Sequence, residues 1–189
     1  MPFATGHPPP AVPANHYEAK RTISSSIRCS RGKTIPEGES MDEERFLDDF
    51  RVGEKSVSGG VTITESEMIH FALLYDPQSF HLDVAAAEKS PYGGLIASGF
   101  HTLSLCFRLF MQRGVLAACS IGSPGIDEVR WLAPVRPGDT LRTETEVLEV
   151  KPSSSRPDRG ILKLKYVGVN QHGAAVISFA VNHLLRRRG

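Results

Sequence analysis

The 189-residue sequence has no apolar run approaching the roughly 20 residues that a membrane-spanning helix needs. Its first residues also lack the apolar stretch of a secretory signal peptide. The charges nearly cancel, and the formal net charge is +1. So balanced a composition gives no reason to expect a nucleic-acid-binding or membrane-binding surface. The closing Arg186–Arg188 run is short and is typical of a solvated terminus.

Cysteine is scarce, with residues only at Cys29, Cys106 and Cys119. An odd number without metal-ligand spacing predicts free thiols in a reducing compartment, two of them packed as small apolar side chains. We therefore expect the protein to be cytoplasmic.

Residues 1–40 lack the apolar periodicity of the rest of the chain and are rich in Pro, Ser and basic residues. Such a segment cannot bury enough surface to offset the entropy lost on ordering. The sequence predicts a disordered extension over residues 1–40 and one domain over residues 41–189, a length that allows a sizeable core. A targeting peptide is the less favoured interpretation of the extension.

Two helices are predicted. Thr64 and Glu67 match a capping box, and apolar residues at helical spacing continue to about Tyr75. Pro77 ends this helix, because the residue before a proline disfavours the α region. The second helix, over residues 100–113, is capped by Ser98 and is apolar on nearly every side, which predicts that it is buried.

Strand patterns occupy residues 57–64 and, after the second helix, residues 126–135, 141–150, 161–169 and 174–185. Consecutive strands joined by turns predict an antiparallel sheet. One long buried helix with such a sheet predicts an α+β architecture in which the sheet wraps around the helix.

The stretch "YDPQSFHLD" follows the first helix. Charged groups are seldom buried without a partner, so these residues form either a polar surface loop or a site. Asp76 alone is typical of a turn residue before proline, and His81 alone is typical of a loop or packed histidine. The residues by themselves leave both interpretations open.

The stretch from Phe71 to Leu105 resembles the signature of the MaoC-like dehydratase family, which includes R-specific enoyl-CoA hydratases. The shared elements are an aspartate, a histidine five residues later with Leu-Asp after it, and a small residue and glycine that lead into the second helix: Asp76, His81, Leu82-Asp83 and Ser98-Gly99. Residues 125–141 resemble the strand and turn that follow in this family. The resemblance implies a hot-dog fold, in which a curved antiparallel sheet wraps one long helix, paired as a homodimer.

The resemblance also implies reversible hydration of a 2-enoyl thioester to a 3-hydroxyacyl thioester, R-specific in stereochemistry. Asp76 and His81 would be the catalytic pair that holds the water, and their division into acid and base stays open. The Gly99 N–H would bind the thioester oxygen, which agrees with the unpaired N–H groups of a helix N-terminus. The implied substrate is an acyl-CoA or an acyl carrier protein thioester, and no metal or other cofactor is implied.

Further candidates for substrate binding are Ser98, His101, Phe107, Arg130 and Arg136. The two arginines flank a strand end and would meet the ligand's phosphates, although each is as easily a solvated arginine. His101 is either a core residue or a lining residue of the pocket. Phe107 stands where some R-specific hydratases have a serine, with Ser104 one turn away, which suggests a differently shaped acyl pocket.

The other acidic and histidine residues have simpler interpretations. Asp83 is expected to bond nearby backbone, and the remaining histidines are expected on the surface or in strands: His70, His172 and His183. A metal site built from His81, Asp83 and His101 is disfavoured, because its spacing matches no standard ligand pattern.

Two other functions remain alternatives. A hot-dog thioesterase would use a carboxylate to direct water to the thioester carbonyl, and a thioester-binding subunit would keep the motif without turnover. The placing of an aspartate and a histidine in one loop favours hydration.

Overall fold

A computed structural model describes residues 44–189, which form an antiparallel sheet packed on a central helix. The predicted disordered extension, residues 1–40, lies outside the described residues. Within those residues, no helix is long and apolar enough to cross a membrane.

The four described α-helices follow two short strands and precede the four long ones. They are α1 (Glu65–Tyr75), α2 (Ser79–Leu82), α3 (Val84–Glu88) and α4 (Gly99–Met111), and a 3₁₀ turn precedes them at Leu47–Asp49. The short helices α2 and α3 fill a stretch that the sequence indicates only as a loop.

The strands of the described region are β1 (Lys55–Val57), β2 (Val61–Thr62), β3 (Ser120–Trp131), β4 (Thr140–Pro152), β5 (Arg159–Val169) and β6 (Ala175–Arg186). Their order in the sheet is β1-β4-β5-β6-β3, with β2 also paired to β4. All pairings are antiparallel. The predicted strand over residues 57–64 is divided between β1 and β2, and β3 begins before the predicted residue 126.

The capping box of α1 is confirmed. The Thr64 hydroxyl accepts a hydrogen bond from the Glu67 N–H, and the Glu67 carboxylate accepts one from the Thr64 N–H at 2.8 Å. The helix ends at Tyr75, as predicted, and Asp76 after it has non-helical backbone (φ −154°, ψ 69°). The proline at position 77 explains this end, because it excludes the preceding residue from the α region.

Helix α4 lies against β4 and β5. Its buried residues share one face and are Thr102, Leu105, Cys106, Leu109 and Phe110. The expectation of burial on nearly every side is wrong for Phe100, which is 58% exposed. Gly168 of β5 lies directly below Cys106, and a side chain there would overlap the Cys106 sulfur. The missing side chain therefore lets the helix approach the sheet closely.

His183 is expected from the sequence either on the surface or in a strand. It lies in strand β6 with a buried side chain, so the strand position is correct and the surface position is wrong. Its Nε2 is 2.8 Å from the Tyr166 hydroxyl, and both residues lie in the core. His70 and His172 are exposed, as expected. Cys106 and Cys119 are free and buried, which confirms the prediction of two packed thiols, whereas Cys29 lies outside the described residues.

Candidate active site

Asp76 lies immediately after α1, where both carboxylate oxygens have partners. Oδ2 accepts a hydrogen bond from the Ser98 hydroxyl at 2.6 Å, and Oδ1 accepts one from the Gln78 side-chain amide at 2.8 Å. The Ser98 hydrogen bond does most to hold the pKa of Asp76 below its usual value, helped by Gln78 and His81 and opposed by partial burial. Asp76 is therefore a carboxylate at neutral pH.

His81 lies in α2 and is buried, with 5% of its side chain exposed. Its Nδ1 is 2.8 Å from the Ile96 carbonyl oxygen. A carbonyl oxygen can only accept, so Nδ1 carries a hydrogen and donates it. This bond fixes the ring so that Nε2 faces Asp76, at 3.3 Å from Oδ2. The structure thus brings together the aspartate and histidine of the sequence motif.

Ser98 and Gly99 join this pair to the N-terminus of α4. Ser98 is the N-cap residue, and its Oγ accepts a hydrogen bond from the Phe100 N–H at 3.2 Å while it donates to Asp76. Gly99 is the first residue of the helix, where a backbone N–H has no partner within the helix. A donor and a positive helix end therefore lie next to the acid and the histidine.

A cavity of about 470 Å³ opens beside these residues. It is lined by polar groups of the site and by apolar side chains from α2, α4 and the end of β3: Asp76, Gln78, Phe80, His81, Tyr92, Ile96, Ala97, Gly99, Phe100, Thr102, Trp131, Leu132, Ala133, Pro134 and Val135. Mostly apolar walls with a few converging polar groups are typical of a small-molecule site.

Among the further candidates, only Ser98 and Arg136 lie near the site. The Arg136 guanidinium donates to the carbonyl of Tyr92, a residue of the cavity wall. The Arg130 guanidinium is exposed and bonds the neighbouring Val129 carbonyl, away from the cavity lining.

His101 and Phe107 also do not line the cavity. His101 is half-buried and stacks on Phe71 at 4.5 Å between ring centroids, and burial lowers its pKa. Phe107 turns into the core, where its ring lies parallel to that of His183. Phe107 therefore packs in the core and does not shape this cavity. Ser104, one turn away, is exposed.

Asp83 has the expected backbone role, since its Oδ1 accepts a hydrogen bond from the Ala86 N–H at 3.0 Å and caps α3. The three side chains of the disfavoured metal site are thus engaged elsewhere: Asp83 at α3, His81 with Ile96 and Asp76, and His101 on Phe71. Across residues 44–189 no other cluster of His, Cys, Asp or Glu could hold a metal ion either.

Trp131 is the part of the site that the sequence does not reveal. It lies at the end of β3, and its indole covers Gly99 so closely that a side chain at position 99 would overlap it. The two residues are 32 positions apart, and no local pattern links them. Only the path of β3 along the sheet edge brings them into contact.

Comparison with known proteins identifies the family. The family model described as "MaoC like domain" matches residues 50–165. The uncharacterized protein YdeM of Bacillus subtilis is 30% identical over 141 residues, which cover 75% of this chain and 99% of YdeM. Mesaconyl-CoA hydratase of Cereibacter sphaeroides is 32% identical over 148 residues, which cover 76% of this chain and 42% of the hydratase. The chain therefore spans less than half of that relative.

Solved structures of similar proteins point to the same family. The MaoC-like dehydratase from Rhodospirillum rubrum is 38% identical and superimposes with a TM-score of 0.71, over 77% of this chain and 99% of that one. The α+β hot-dog fold expected from the sequence is confirmed. With its matching motif, its fold and these relatives, the chain belongs to the MaoC-like dehydratase family.

Proposed function

We propose that the chain is a hydratase that adds water reversibly to a 2-enoyl-CoA, giving a 3-hydroxyacyl-CoA of R configuration. The observation that carries the proposal is the 3.3 Å contact between His81 Nε2 and Asp76 Oδ2 at the wall of the cavity, beside the N-terminus of α4. Mesaconyl-CoA hydratase, a relative at 32% identity, is by its name a hydratase of a CoA thioester, which supports this reaction class.

The hydrogen bonds around His81 indicate how the pair shares protons. Because Nδ1 donates to the Ile96 carbonyl, a neutral ring would turn a bare nitrogen toward the Asp76 carboxylate, and two acceptors repel. A proton on Nε2 converts the same contact into a charge-assisted hydrogen bond. A water that binds beside this contact can accept from Nε2–H and donate to Asp76.

From this arrangement the addition proceeds with Asp76 as base and His81 as acid. Asp76 accepts a proton from the water, and the water oxygen forms a bond to C3 of the enoyl group. The electron pair of the double bond moves to the thioester oxygen, where the Gly99 N–H stabilises the negative charge. The thioester carbonyl then re-forms, and the electron pair returned to C2 takes the proton from Nε2–H of His81. The proton held by Asp76 returns to Nε2, which restores the pair, and dehydration follows the same steps in reverse.

The remaining partners belong to this proposal. The substrate is a CoA thioester, or an acyl carrier protein thioester of the same chemistry. Arg136, which bonds the carbonyl of the wall residue Tyr92, would meet its phosphates. The active form is a homodimer in the cytoplasm.

The test is to mix purified protein with crotonyl-CoA. Loss of the enoyl absorbance without release of thiol supports hydration. Release of free thiol would make the protein a thioesterase, and binding without either signal would make it a thioester-binding subunit.

We expect Asp76→Asn and His81→Ala each to lower kcat by about a hundredfold or more while the protein stays folded, because general acid–base groups contribute roughly 10²–10⁴-fold. His70→Ala, which changes an exposed histidine of α1, is the matched control and should retain the wild-type rate. Near wild-type hydration by either active-site variant would remove that residue from the mechanism.

A further inference from the structure

The indole of Trp131 covers Gly99 with its face. A methyl group placed on the Gly99 Cα would overlap three atoms of the pyrrole ring, Cδ1, Nε1 and Cε2, all within 2.9 Å and with Nε1 nearest. The two carbons are almost as near as the nitrogen. This is the geometry of an atom above the ring plane, because an N–H bond pointing at Gly99 would hold both carbons farther away.

Neighbouring residues hold the indole in this position. The backbone of Trp131 pairs with that of Ile177 in β6. Its ring contacts the ring of Phe100 edge to face, at 6.0 Å between centroids and 72° between planes. Edge-to-face contacts between aromatic rings are favourable at this separation. Gly99, Phe100 and Trp131 all line the cavity. The indole is therefore a flat apolar wall at the point where the unpaired N–H groups of α4 begin.

We propose that Trp131 is a positioning residue for the thioester. The inference rests on the proposed function, in which the Gly99 N–H binds the thioester oxygen. The indole closes the Cα side of Gly99, so a ligand carbonyl reaches the N–H only along the face of the ring. An enoyl thioester is planar and lies flat against this wall, with C2 and C3 turned toward His81 and Asp76. Such orientation supplies rate, because small misplacements of reacting atoms are costly.

Trp131 gives a second reason why position 99 needs a glycine. Close approach of the ligand is one reason, but a side chain there would also displace the indole. Gly99→Ala and Trp131→Ala should therefore be non-additive in kcat, because each change removes the same wall. Simple additivity would mean that the two residues act separately.

The main experiment compares Trp131→Ala, which removes the wall, with Trp131→Phe, which keeps a flat ring. Leu148→Ala is the control, because Leu148 is an exposed apolar residue of β4 that does not line the cavity. We expect Trp131→Ala to lower kcat by about a hundredfold, equally for crotonyl-CoA and 2-octenoyl-CoA. Trp131→Phe should stay within about tenfold of the wild-type kcat, and Leu148→Ala within about threefold.

Two outcomes of the kinetics would overturn the proposal. One is a Trp131→Ala enzyme with unchanged kcat. The other is a loss that depends on the length of the acyl chain, which would place the indole against the chain rather than the thioester.

Binding gives a readout that does not need turnover. Trp131 is the only tryptophan of the sequence, so intrinsic fluorescence reports on it alone. Butyryl-CoA, a saturated thioester that cannot be hydrated, should change this emission more than free CoA does. An unchanged emission in a protein that hydrates crotonyl-CoA would overturn the role of Trp131. A response to butyryl-CoA without any hydration would instead refute the proposed function and leave the thioester contact standing.

Discussion

The Ser98 hydroxyl does two things at one atom. It donates to the Asp76 carboxylate at 2.6 Å and accepts from the Phe100 N–H at 3.2 Å. The first bond favours the charged form of Asp76, and the second satisfies a backbone donor at the start of α4. The ionisation of the proposed base is thus tied to the start of the central helix.

Replacing Ser98 by alanine should shift the acid limb of the pH–rate profile to higher pH. The hydroxyl holds the pKa of Asp76 below its usual value, so its removal lets that pKa rise. Asp76 then becomes protonated, and inactive as a base, at a higher pH. The measurement is kcat/KM for crotonyl-CoA as a function of pH.

The control for lost capping is Thr64→Ala, which removes the N-cap of α1 but no partner of Asp76. Both variants should lose about 1 kcal/mol of stability. Only Ser98→Ala should shift the profile, and an identical shift in both would point to general destabilisation.

His183 makes the core sensitive to acid. Burial lowers its pKa from 6.5 to about 4, and the same burial raises the pKa of its partner Tyr166. Between these two pH values the unfolded chain binds a proton that the folded chain does not. Titration of His183 therefore leaves the free energy of unfolding unchanged above pH 6.5 and lowers it as the pH drops toward 4.

We expect the free energy of unfolding, measured in urea, to fall by about 3 kcal/mol across this range through His183. His183→Gln keeps a hydrogen-bonding partner for Tyr166 but cannot titrate there, so its stability should depend less on pH. A variant with the same pH dependence as wild type would assign the effect to other groups.

At the level of helices and strands, the sequence predicts those elements that are determined by residues close together in the chain. Helix α1 follows from a capping box and a proline, and β4 follows from the alternation of buried and outward residues over its first part, residues 141–147. The first half of β3 is missed because Gly122, Pro124 and Gly125 break the strand pattern, and the pairing with β6 has register shifts there. Asp76 and His81 are found because they share one short segment, whereas the contact of Trp131 with Gly99 depends on the whole sheet.

The contact between α4 and β5 gives a prediction at this scale. Gly168→Ala places a methyl group against the Cys106 sulfur and against Ile177, so it should destabilise the protein by about 1–3 kcal/mol through overpacking. Gly125→Ala is the control, since nothing lies within 4 Å of a side chain there. Thermal unfolding of both variants gives the comparison.

Cys106→Ala should partly rescue Gly168→Ala, because it removes the sulfur that the methyl group meets. Equal destabilisation by the two glycine substitutions, or no rescue, would contradict the packing account.

At the scale of the whole molecule, β3 is the strand most exposed to pairing with another chain. This strand is an edge of the described sheet, and its exposed apolar residues include Ile121, Ile126 and Trp131. Long edges with apolar side chains favour pairing with another chain, and twofold pairing is the commonest form. The homodimer predicted from the sequence would cover this edge.

Light scattering after size exclusion should give about twice the 20.6 kDa mass of one chain. Ile126→Glu should weaken the dimer, because it puts a charge on the paired edge. Leu148→Glu changes a similarly exposed residue of β4, which has neighbours on both sides, and should leave the dimer intact. A fully active species with the mass of one chain would refute the dimer.

Because Cys106 is buried against Gly168, its rate of alkylation can report how often α4 separates from β5. Burial raises the pKa of its thiol to about 11, so almost no thiolate is present at neutral pH and the sulfur is closed to reagents. Alkylation can therefore proceed only when α4 lifts from β5. In a chain whose other two cysteines are replaced by serine, the labelling rate under native conditions measures how often that happens. The rate should rise in Gly168→Ala and stay unchanged in Gly125→Ala, which links a packing distance to the frequency of a rare motion.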